Sequence, residues 1–422
     1  MQVARSEPKA SEDHPKGSHM LGAANKVLML GWELPPRFAG GVGIVCDALT
    51  RALAERGVEV TYLMPQAEDH SPGRGVRVIG AERIATLGVA SRLHSYASSA
   101  PPVRVPGEAA PPDGSPLYGA NLLQAVERFS ASAVDSVAAE QVDFDVIHAH
   151  DWTTFPAGVE LRRSTHKPLI VHVHITEFDK SGGAHADPRV FAIEQAGMRA
   201  ADRVVTVSQR IADTCVHRYG VAPDRIRVVY NGVAPDRSVR ESLLPLRPLV
   251  LFLGRVTLQK GPEYFLRAAQ RVLELEPAAH FVLAGTGDQL PRMIEHAAEL
   301  GLGHRVLFTG FVDRDRAAEL YASADVFVMP SVSEPFGIVP LEAMDRGVPV
   351  IVSRQSGVSE VLRHALKVDF WDVRDMAEKI LAVLRRPALR KTLVESGREE
   401  VAQMSWDLRG QHLHDLYQEL VS

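Results

Sequence analysis

Short apolar runs alternate with amphipathic runs along this chain, and no other sequence feature limits its fold as strongly. Apolar runs at 27–30 and 58–64 suit buried strands. Between them lie a glycine-rich turn at 40–43 and an amphipathic run at 44–56, which Gly57 would cap. A strand, a helix and a second strand in so short a stretch form a βαβ unit, so we expect a parallel sheet.

The same alternation recurs in both halves of the chain. Ser208 is expected to cap a helix that ends near Tyr219, and Pro262 to begin a helix that ends near Leu275. The sequence therefore predicts two doubly wound α/β domains, with a ligand cleft between the carboxyl ends of their strands. The further apolar runs that predict strands lie at 146–149, 169–174, 204–207, 249–253, 281–284, 306–308 and 326–329.

Prolines mark the segments where the alternation fails. They crowd the end of residues 66–116, which predicts an irregular insertion. Residues 233–248 also carry prolines and lack a clear period, which predicts the interdomain linker. The expected divisions are a tag or disordered tail at 1–24, an N-terminal domain at 25–238, a C-terminal domain at 239–404 and a terminal helix at 405–422.

Composition excludes several classes of protein. Lysine plus arginine number 47 and aspartate plus glutamate 52, and a net charge of −5 does not indicate a nucleic-acid binder. Cys46 and Cys215 are too few for a disulfide framework or a thiolate metal site, which favours a cytoplasmic location. The sequence shows neither the roughly 18-residue apolar run of a membrane span nor a signal peptide. The oligomeric state stays open.

The strongest local motif is the segment 333–344, which follows an apolar run and leads into a predicted helix. Pro340 suits the first turn of that helix, where no amide partner is lost. The backbone amides of Phe336, Gly337 and Ile338 would then lack partners and could bind phosphate or hydroxyl groups in the cleft.

Two glutamates belong to this motif. Glu334 could face a sugar or a developing cation, and Glu342 could accept hydrogen bonds from a ribose diol. The alternative is that both are surface charges or complement the helix dipole.

Two cations follow the apolar run at 249–253. Arg255 and Lys260 stand five residues apart on the predicted exit loop, where they could clamp a diphosphate and offset the charge of a leaving group. The alternative is that both are solvated loop charges. The earlier glycine-rich turn at 40–43 would also let amides approach a phosphate, but its spacing is not that of a dinucleotide fingerprint, which disfavours a nicotinamide dehydrogenase.

Four histidines stand at two predicted strand ends. Alternation is expected to place His148 and His150 on one face, and His172 and His174 on another. With Asp151 they could suggest a metal site, but local hydrogen bonding is the commoner reason for such residues, so no metal is predicted.

Two pairs of spaced aspartates also fail to indicate a metal. Asp313 and Asp315 precede a predicted helix and suit its cap, whereas Asp143 and Asp145 lie in a polar turn before a strand.

Together these motifs resemble the retaining glycosyltransferases of the GT-B fold, family four, close to glycogen and starch synthases. The resemblance covers nearly all of residues 26–415. It depends on Glu334 with Glu342, on Arg255 with Lys260, and on the segment 230–233; the segment 148–152 is especially similar to glycogen synthases.

The resemblance implies a role for each motif. Arg255 and Lys260 would bind the donor diphosphate, Glu342 the ribose, and Glu334 with the three loop amides the donor sugar. The family histidine matches His174 best, with His172 as the less favoured alternative, and would contact the sugar near its reacting face. Asp151 and Asn231 match sugar-binding positions of glycogen synthases. Gly41 would lie in the loop that closes on the diphosphate. The residues expected to bracket the base are Gly285, Thr286, Gly287, Phe311 and Val312.

The implied activity is transfer of a hexose, foremost glucose, from a nucleoside diphosphate sugar to an α-1,4-glucan with retention of anomeric configuration and no cofactor or metal. The leaving phosphate itself would help the acceptor hydroxyl lose its proton. Phe38 stands where synthases that use ADP-glucose carry a lysine, with Arg37 beside it, so UDP-glucose and ADP-glucose both stay open as donors.

Other functions stay open as well. The same donor chemistry could serve a lipid, a small sugar or a sugar phosphate as acceptor. A nucleotide-sugar epimerase and a non-catalytic sugar-binding protein are further alternatives, and the combination of Glu334, Glu342, Arg255 and Lys260 favours transfer over both.

Overall fold

The computed structural model describes residues 25–35, 41–65, 75–81, 122–180, 186–235 and 244–422. The expected tail, most of the expected insertion and half of the expected linker lie outside these ranges, as do Arg37 and Phe38. The first sheet comprises β1 (Lys26–Leu30), β2 (Glu59–Met64), β3 (Val76–Gly80), β4 (Val146–His150), β5 (Leu169–Val173), β6 (Arg203–Thr206) and β7 (Ile226–Val228). The second comprises β8 (Leu249–Leu253), β9 (His280–Ala284), β10 (Val306–Gly310), β11 (Val326–Met329), β12 (Val350–Ser353) and β13 (Leu366–Val368).

Both sheets are parallel and doubly wound, which confirms the predicted fold class. Their strand orders are β3-β2-β1-β4-β5-β6-β7 and β10-β9-β8-β11-β12-β13. In each sheet the order reverses beside the first strand, and crevices for ligands open at the carboxyl ends of strands at such switch points. Strands β4 and β5 are buried along their whole length, as expected of parallel strands covered on both faces.

Helices cover both faces of each sheet. Ser208 Oγ accepts a 3.2 Å hydrogen bond from the Ile211 amide, and Asp313 Oδ1 accepts one of 2.8 Å from the Arg316 amide, so both expected helix caps are confirmed. None of the helices in the described ranges is long and apolar enough to cross a bilayer. The helices are α1 (Gly41–Glu55), α2 (Leu122–Ala139), α3 (Phe155–Thr165), α4 (Glu177–Lys180), α5 (Pro188–Ala200), α6 (Gln209–Tyr219), α7 (Pro262–Leu275), α8 (Leu290–Glu299), α9 (Arg314–Ser323), α10 (Val339–Asp345), α11 (Val358–Val361), α12 (Val373–Arg385), α13 (Pro387–Ala402) and α14 (Trp406–Val421).

Helix α14 packs against the first sheet although it follows the second in sequence. Leu413 and Tyr417 lie in the same apolar core as Val27 and Met29 of β1. Where the chain returns to this sheet, the Val233 amide donates a 2.9 Å hydrogen bond to the carbonyl oxygen of Met404. The chain therefore passes between the two domains twice at one place.

Two local predictions are wrong. Gly41 and Gly43 lie in the first turn of α1 instead of a glycine-rich turn, because Gly43 extends the buried face that Cys46 and Leu49 continue at helical spacing. The predicted irregular insertion contains β3, which pairs in parallel with β2 through Val76 and its neighbours. An edge strand of five residues bounded by polar segments leaves little periodic signal.

Candidate active site

Loops from the first domain contact the loop that follows β11 in the second. Ser333 Oγ donates a 2.9 Å hydrogen bond to Asp179 Oδ1, which lies beyond the end of β5. Ser208 Oγ, beyond the end of β6, donates one of 2.7 Å to the carbonyl oxygen of Pro335. The carboxyl ends of the two sheets therefore face each other, as the sequence predicts.

A second interdomain contact lies beside these bonds. The carboxylate of Glu360, in α11, accepts hydrogen bonds from the amides of Gln209 and Arg210 at 2.8 and 2.9 Å. These amides belong to the first turn of α6, whose N–H groups have no partner inside the helix. An acidic side chain of one domain thus caps a helix of the other.

Lys260 and Glu334 form an ion pair at the second domain's edge of the cleft. They lie beyond the ends of β8 and β11, which are neighbours in the sheet. Ser331 Oγ donates a further 3.2 Å hydrogen bond to the carboxylate of Glu334, whose residue is only 6% exposed. Gly261 follows in the left-handed conformation, and a Cβ there would stand 2.1 Å from the Pro330 carbonyl oxygen. Close backbone packing therefore fixes the lysine beside the carboxylate.

The loop after Glu334 leaves three amides free. Among the described residues none accepts a hydrogen bond from the amides of Phe336, Gly337 or Ile338. Gly337 has a φ of 99°, which glycine adopts readily. The Phe336 carbonyl oxygen accepts a 2.8 Å hydrogen bond from the Val358 amide, so the loop is held from behind while its amides stay available.

Glu342 lies in the first turn of α10 and contacts an aromatic residue that the sequence did not single out. Tyr321 Oη donates a 3.1 Å hydrogen bond to Glu342 Oε2. Burial, with the nearby Glu342 charge, raises the pKa of Tyr321 well above its ordinary value, so the phenol keeps its proton and donates. The guanidinium of Arg346 lies 5.3 Å from the centre of the Tyr321 ring. Tyr321 thus holds Glu342 in one orientation.

The remaining predicted donor residues meet at the ends of β8, β9 and β10. The Val256 amide, next to the half-buried Arg255, donates a 2.8 Å hydrogen bond to the carbonyl oxygen of Thr286. The Gly285 amide donates one of 2.9 Å to the carbonyl oxygen of Gly310, two residues before Val312. A Cβ at Gly285 would stand 1.9 Å from the Gly254 carbonyl oxygen, so the strand ends are tightly apposed.

In the first domain the four histidines form one buried stack, and their predicted separation onto two faces is wrong. The parallel register pairs His150 with His172, so all four rings point to the face covered by α14. His148 and His172 ring centres lie 5.3 Å apart, and those of His172 and His174 4.2 Å apart. His150 Nδ1 lies 2.8 Å from His174 Nε2, and His148 Nδ1 lies 2.6 Å from the hydroxyl of Tyr417.

Burial keeps these imidazoles neutral. It lowers the pKa of His148 and of His174 to about 3, and it holds those of His150 and His172 well below the ordinary value. Each ring near neutral pH therefore offers one N–H donor and one acceptor nitrogen.

Asp151 follows β4 in a left-handed conformation with a φ of 57°. Its carboxylate accepts hydrogen bonds from the amides of His174, at 2.8 Å, and Ile175, at 3.4 Å. Burial outweighs these bonds and raises the pKa of Asp151 to about 7. Thr176, two residues after His174, donates a 2.6 Å hydrogen bond from Oγ1 to Asp179. Contacts therefore run from Asp151 through Asp179 to the second domain.

A buried acid that the sequence did not indicate lies below this loop. Glu194 in α5 accepts hydrogen bonds from the Glu177 amide at 3.0 Å and from the hydroxyl of Tyr219. Burial raises the pKa of Glu194 to about 8, although the Tyr219 bond opposes the shift. Glu194 therefore supports the segment that carries Asp179.

Asn231 and Gly41 complete the predicted site residues. Asn231 is buried, and its neighbour Tyr230 places its ring 6.2 Å from that of Phe336 in the other domain. Gly41 begins α1 and does not lie in a loop, so its amide belongs to the unpaired first turn of a helix.

Two family models match the chain. The model described as Glycosyltransferase Family 4 matches residues 39–237. The model described as Glycosyl transferases group 1 matches residues 238–400. The two matches meet in the connection between the two sheets.

Three relatives align with most of the chain. It is 31% identical over 407 residues to uncharacterized glycosyltransferase MJ1607 of Methanocaldococcus jannaschii, which covers 90% of this chain and 95% of that protein. It is 27% identical over 399 residues to a glycogen synthase of Mycobacterium tuberculosis, covering 89% and 90%. It is 30% identical over 399 residues to a D-inositol 3-phosphate glycosyltransferase of Geodermatophilus obscurus, covering 87% and 82%.

Solved structures share the two-domain architecture. Sucrose-phosphate synthase from Thermosynechococcus elongatus superposes with a TM-score of 0.73 at 24% identity, covering 94% of this chain and 99% of that one. The catalytic domain of starch synthase IV from Arabidopsis thaliana, bound to ADP and acarbose, gives 0.67 at 17% identity, covering 94% and 99%. These similarities show the fold.

Proposed function

The chain belongs to the family 4 glycosyltransferases of the GT-B fold, and we propose that it transfers glucose from a nucleoside diphosphate glucose to an α-1,4-glucan with retention of configuration. The single observation that carries this proposal is the ion pair of Lys260 with Glu334, in a cleft that both sheets face. The relative named glycogen synthase supports the glucan acceptor.

The second domain supplies the groups that a departing diphosphate needs. Lys260 and Arg255 would offset the charge that develops on the leaving phosphate. The free amides of Phe336, Gly337 and Ile338 would donate hydrogen bonds to the donor. Glu334, already oriented by Ser331 and Lys260, would accept hydrogen bonds from the sugar hydroxyls.

The first domain would hold the reacting face of the sugar. His174 is neutral near pH 7, and its Nε2 is engaged by His150, so its Nδ1 is the ring atom available to a sugar hydroxyl. The departing phosphate oxygen would take the acceptor proton on the same face, which retains configuration. Contacts between the domains would exclude water from this step.

One further acceptor class has support. The relative named D-inositol 3-phosphate glycosyltransferase is 30% identical over most of both chains. A small phosphorylated polyol is therefore the second candidate acceptor. It differs from a glucan in carrying a charge, so the two are separable by assay.

The test is a donor panel of UDP-, ADP- and GDP-glucose against glycogen, maltooligosaccharides and inositol 3-phosphate. Mass spectrometry would count added hexoses, and NMR of the new anomeric proton would report configuration. We expect α-linked extension of the glucan that survives added chelator. Exclusive transfer to inositol phosphate would establish the second candidate. Nucleotide release without any glycosidic product, from every donor, would refute transfer.

A further inference from the structure

The histidine stack contains more unsatisfied nitrogen atoms than a buried core normally tolerates. His148, His150 and His172 are each at most 1% exposed. Among the described residues, Nε2 of His148, Nε2 of His150 and both ring nitrogens of His172 have no hydrogen-bond partner. Buried polar atoms are rarely left in this state, and a bound ion is one standard reason for it.

The Nδ1 atoms of His148 and His150 already lie within hydrogen-bonding distance of a partner. His148 Nδ1 lies 2.6 Å from the Tyr417 hydroxyl, and His150 Nδ1 lies 2.8 Å from His174 Nε2. Metal-bound histidines usually have this arrangement, because the bond at one nitrogen fixes the tautomer and orients the other nitrogen towards the ion. In both rings the nitrogen left over is Nε2.

We propose that His148, His150 and His172 bind one divalent transition-metal ion, Zn²⁺ first among the candidates, in a buried site. One ligand nitrogen from each residue lies within 4.8 Å of the other two. Zinc–nitrogen bonds are about 2.0–2.1 Å long, so the three nitrogens would have to move closer together to bind one ion. Three imidazoles suit Zn²⁺ and its neighbours better than Ca²⁺ or Mg²⁺.

A second grouping, Cys46 with His150 and His174, is less suited to a metal. Its sulfur would have to bind as the thiolate, and burial raises the pKa of Cys46 far above its ordinary value. The first grouping needs no thiolate, because an imidazole binds a metal ion as the neutral base.

The ion would join parts of the chain that are far apart in sequence. His148 and His150 lie on β4, His172 lies on β5, and Tyr417 lies on α14. The site therefore fastens the final helix to the centre of the first sheet. The proposal does not depend on the identity of the donor or the acceptor.

The test measures zinc in untagged full-length protein produced in zinc-containing medium. We expect one zinc per chain by plasma mass spectrometry, released to a chromophoric chelator only on unfolding. His172→Asn should abolish the bound zinc, while His217→Asn, at an exposed position on α6, should retain it. Zinc-free refolded protein should melt at a higher temperature once Zn²⁺ is added.

A milder variant keeps the proposal testable if His172→Asn does not fold. Tyr417→Phe keeps the packing and removes only the hydroxyl beside His148, so it should weaken zinc binding about 10–100-fold. Parent protein without stoichiometric zinc, equal zinc in parent and His172→Asn, or zinc affinity unchanged in Tyr417→Phe would each overturn the assignment.

Discussion

The hydroxyl of Ser333 and the carboxylate of Asp179 meet at 2.9 Å, and both residues are buried. Ser333 precedes the ion-paired Glu334, and Asp179 receives two further hydrogen bonds from Thr176. One contact thus connects the loop that carries Glu334 in the second domain to the loop after β5 in the first. The proposed transfer needs both loops in place at once.

Ser333→Ala tests this connection. Asp179 keeps its bonds to Thr176, so the change removes only contacts between the domains. These are the bond to Asp179, worth about 1 kcal/mol, and the 3.3 Å hydrogen bond that Arg210 Nη2 donates to Ser333 Oγ. We expect kcat/KM for transfer to fall about fivefold while the unfolding temperature changes little. Ser164→Ala, which removes a hydroxyl bonded only within α3, is the matched control. Equal activity of both variants would mean that the bond does not contribute to catalysis.

Lys260→Ala tests the ion pair. The change leaves Glu334 with Ser331 as its remaining side-chain partner and removes a cation from the proposed leaving group. We expect kcat to fall about 10²–10³-fold. Circular dichroism would establish that the variant is folded.

The matched control for that experiment is Lys379→Ala, since Lys379 also pairs with a carboxylate, Asp375, but within α12. Arg255→Ala should reduce transfer by orders of magnitude as well. Near-normal turnover in both Lys260→Ala and Arg255→Ala would contradict the assigned roles.

Glu194→Gln tests the buried acid beneath the site. Its folded-state pKa of about 8 lies above the ordinary 4.5, so the folded protein retains a proton that the unfolded chain releases. This contribution to stability is complete below pH 4.5 and is lost as the pH rises to about 8. Lys180, Glu177 and Asp151 are the charged groups around it.

Glutamine has no such proton, so the variant should lose less stability than the parent between about pH 5 and pH 8. Thermal unfolding at several pH values measures the difference. The stability of the variant should still decrease as the pH rises, because the pKa of Asp151 is also raised, to about 7. Glu395→Gln, on the exposed side of α13, should follow the parent. If stability changed with pH equally in Glu194→Gln and in the parent, Glu194 would be ionised in the folded state.

Gly285→Ala tests the close packing of the strand ends. Gly285 has a φ of 135°, and an added Cβ would stand 1.9 Å from the Gly254 carbonyl oxygen. We expect a loss of about 3 kcal/mol or more in the free energy of unfolding, from strain and displacement together. Gly303→Ala, where a Cβ meets nothing within 4 Å, should cost little. Denaturant unfolding compares the two, and equal losses would contradict the packing argument.

The sequence predicted the parts of this protein that depend on local periodicity. The strands at 249–253 and 326–329 and the helix from Pro262 to Leu275 have the predicted bounds. Alternation also placed His148 with His150, and His172 with His174. It could not relate the two pairs, because the register between β4 and β5 is set by the crossover that joins them.

Contacts made over long sequence separations were not predictable in this way. Tyr417 reaches His148 from a helix 269 residues away, and Tyr321 reaches Glu342 from the adjacent helix. Both tyrosines occupy apolar helical positions, where a phenol is indistinguishable from a core residue until its partner is known. Glu360, likewise, is an ordinary acidic residue of a helix in the sequence. Its role as a cap appears only from the position of α6 of the other domain.

The paired crossings at Val233 and Met404 constrain how the cleft could widen. Because the two chain segments are joined side by side by a 2.9 Å hydrogen bond, any rotation of one sheet away from the other bends both together. Two chain segments joined in this way favour rotation of the domains about a single axis and resist a twist of one domain against the other. Truncating the chain before Trp406 would remove a helix from the core of the first domain, so that domain is not expected to be a self-sufficient unit without it.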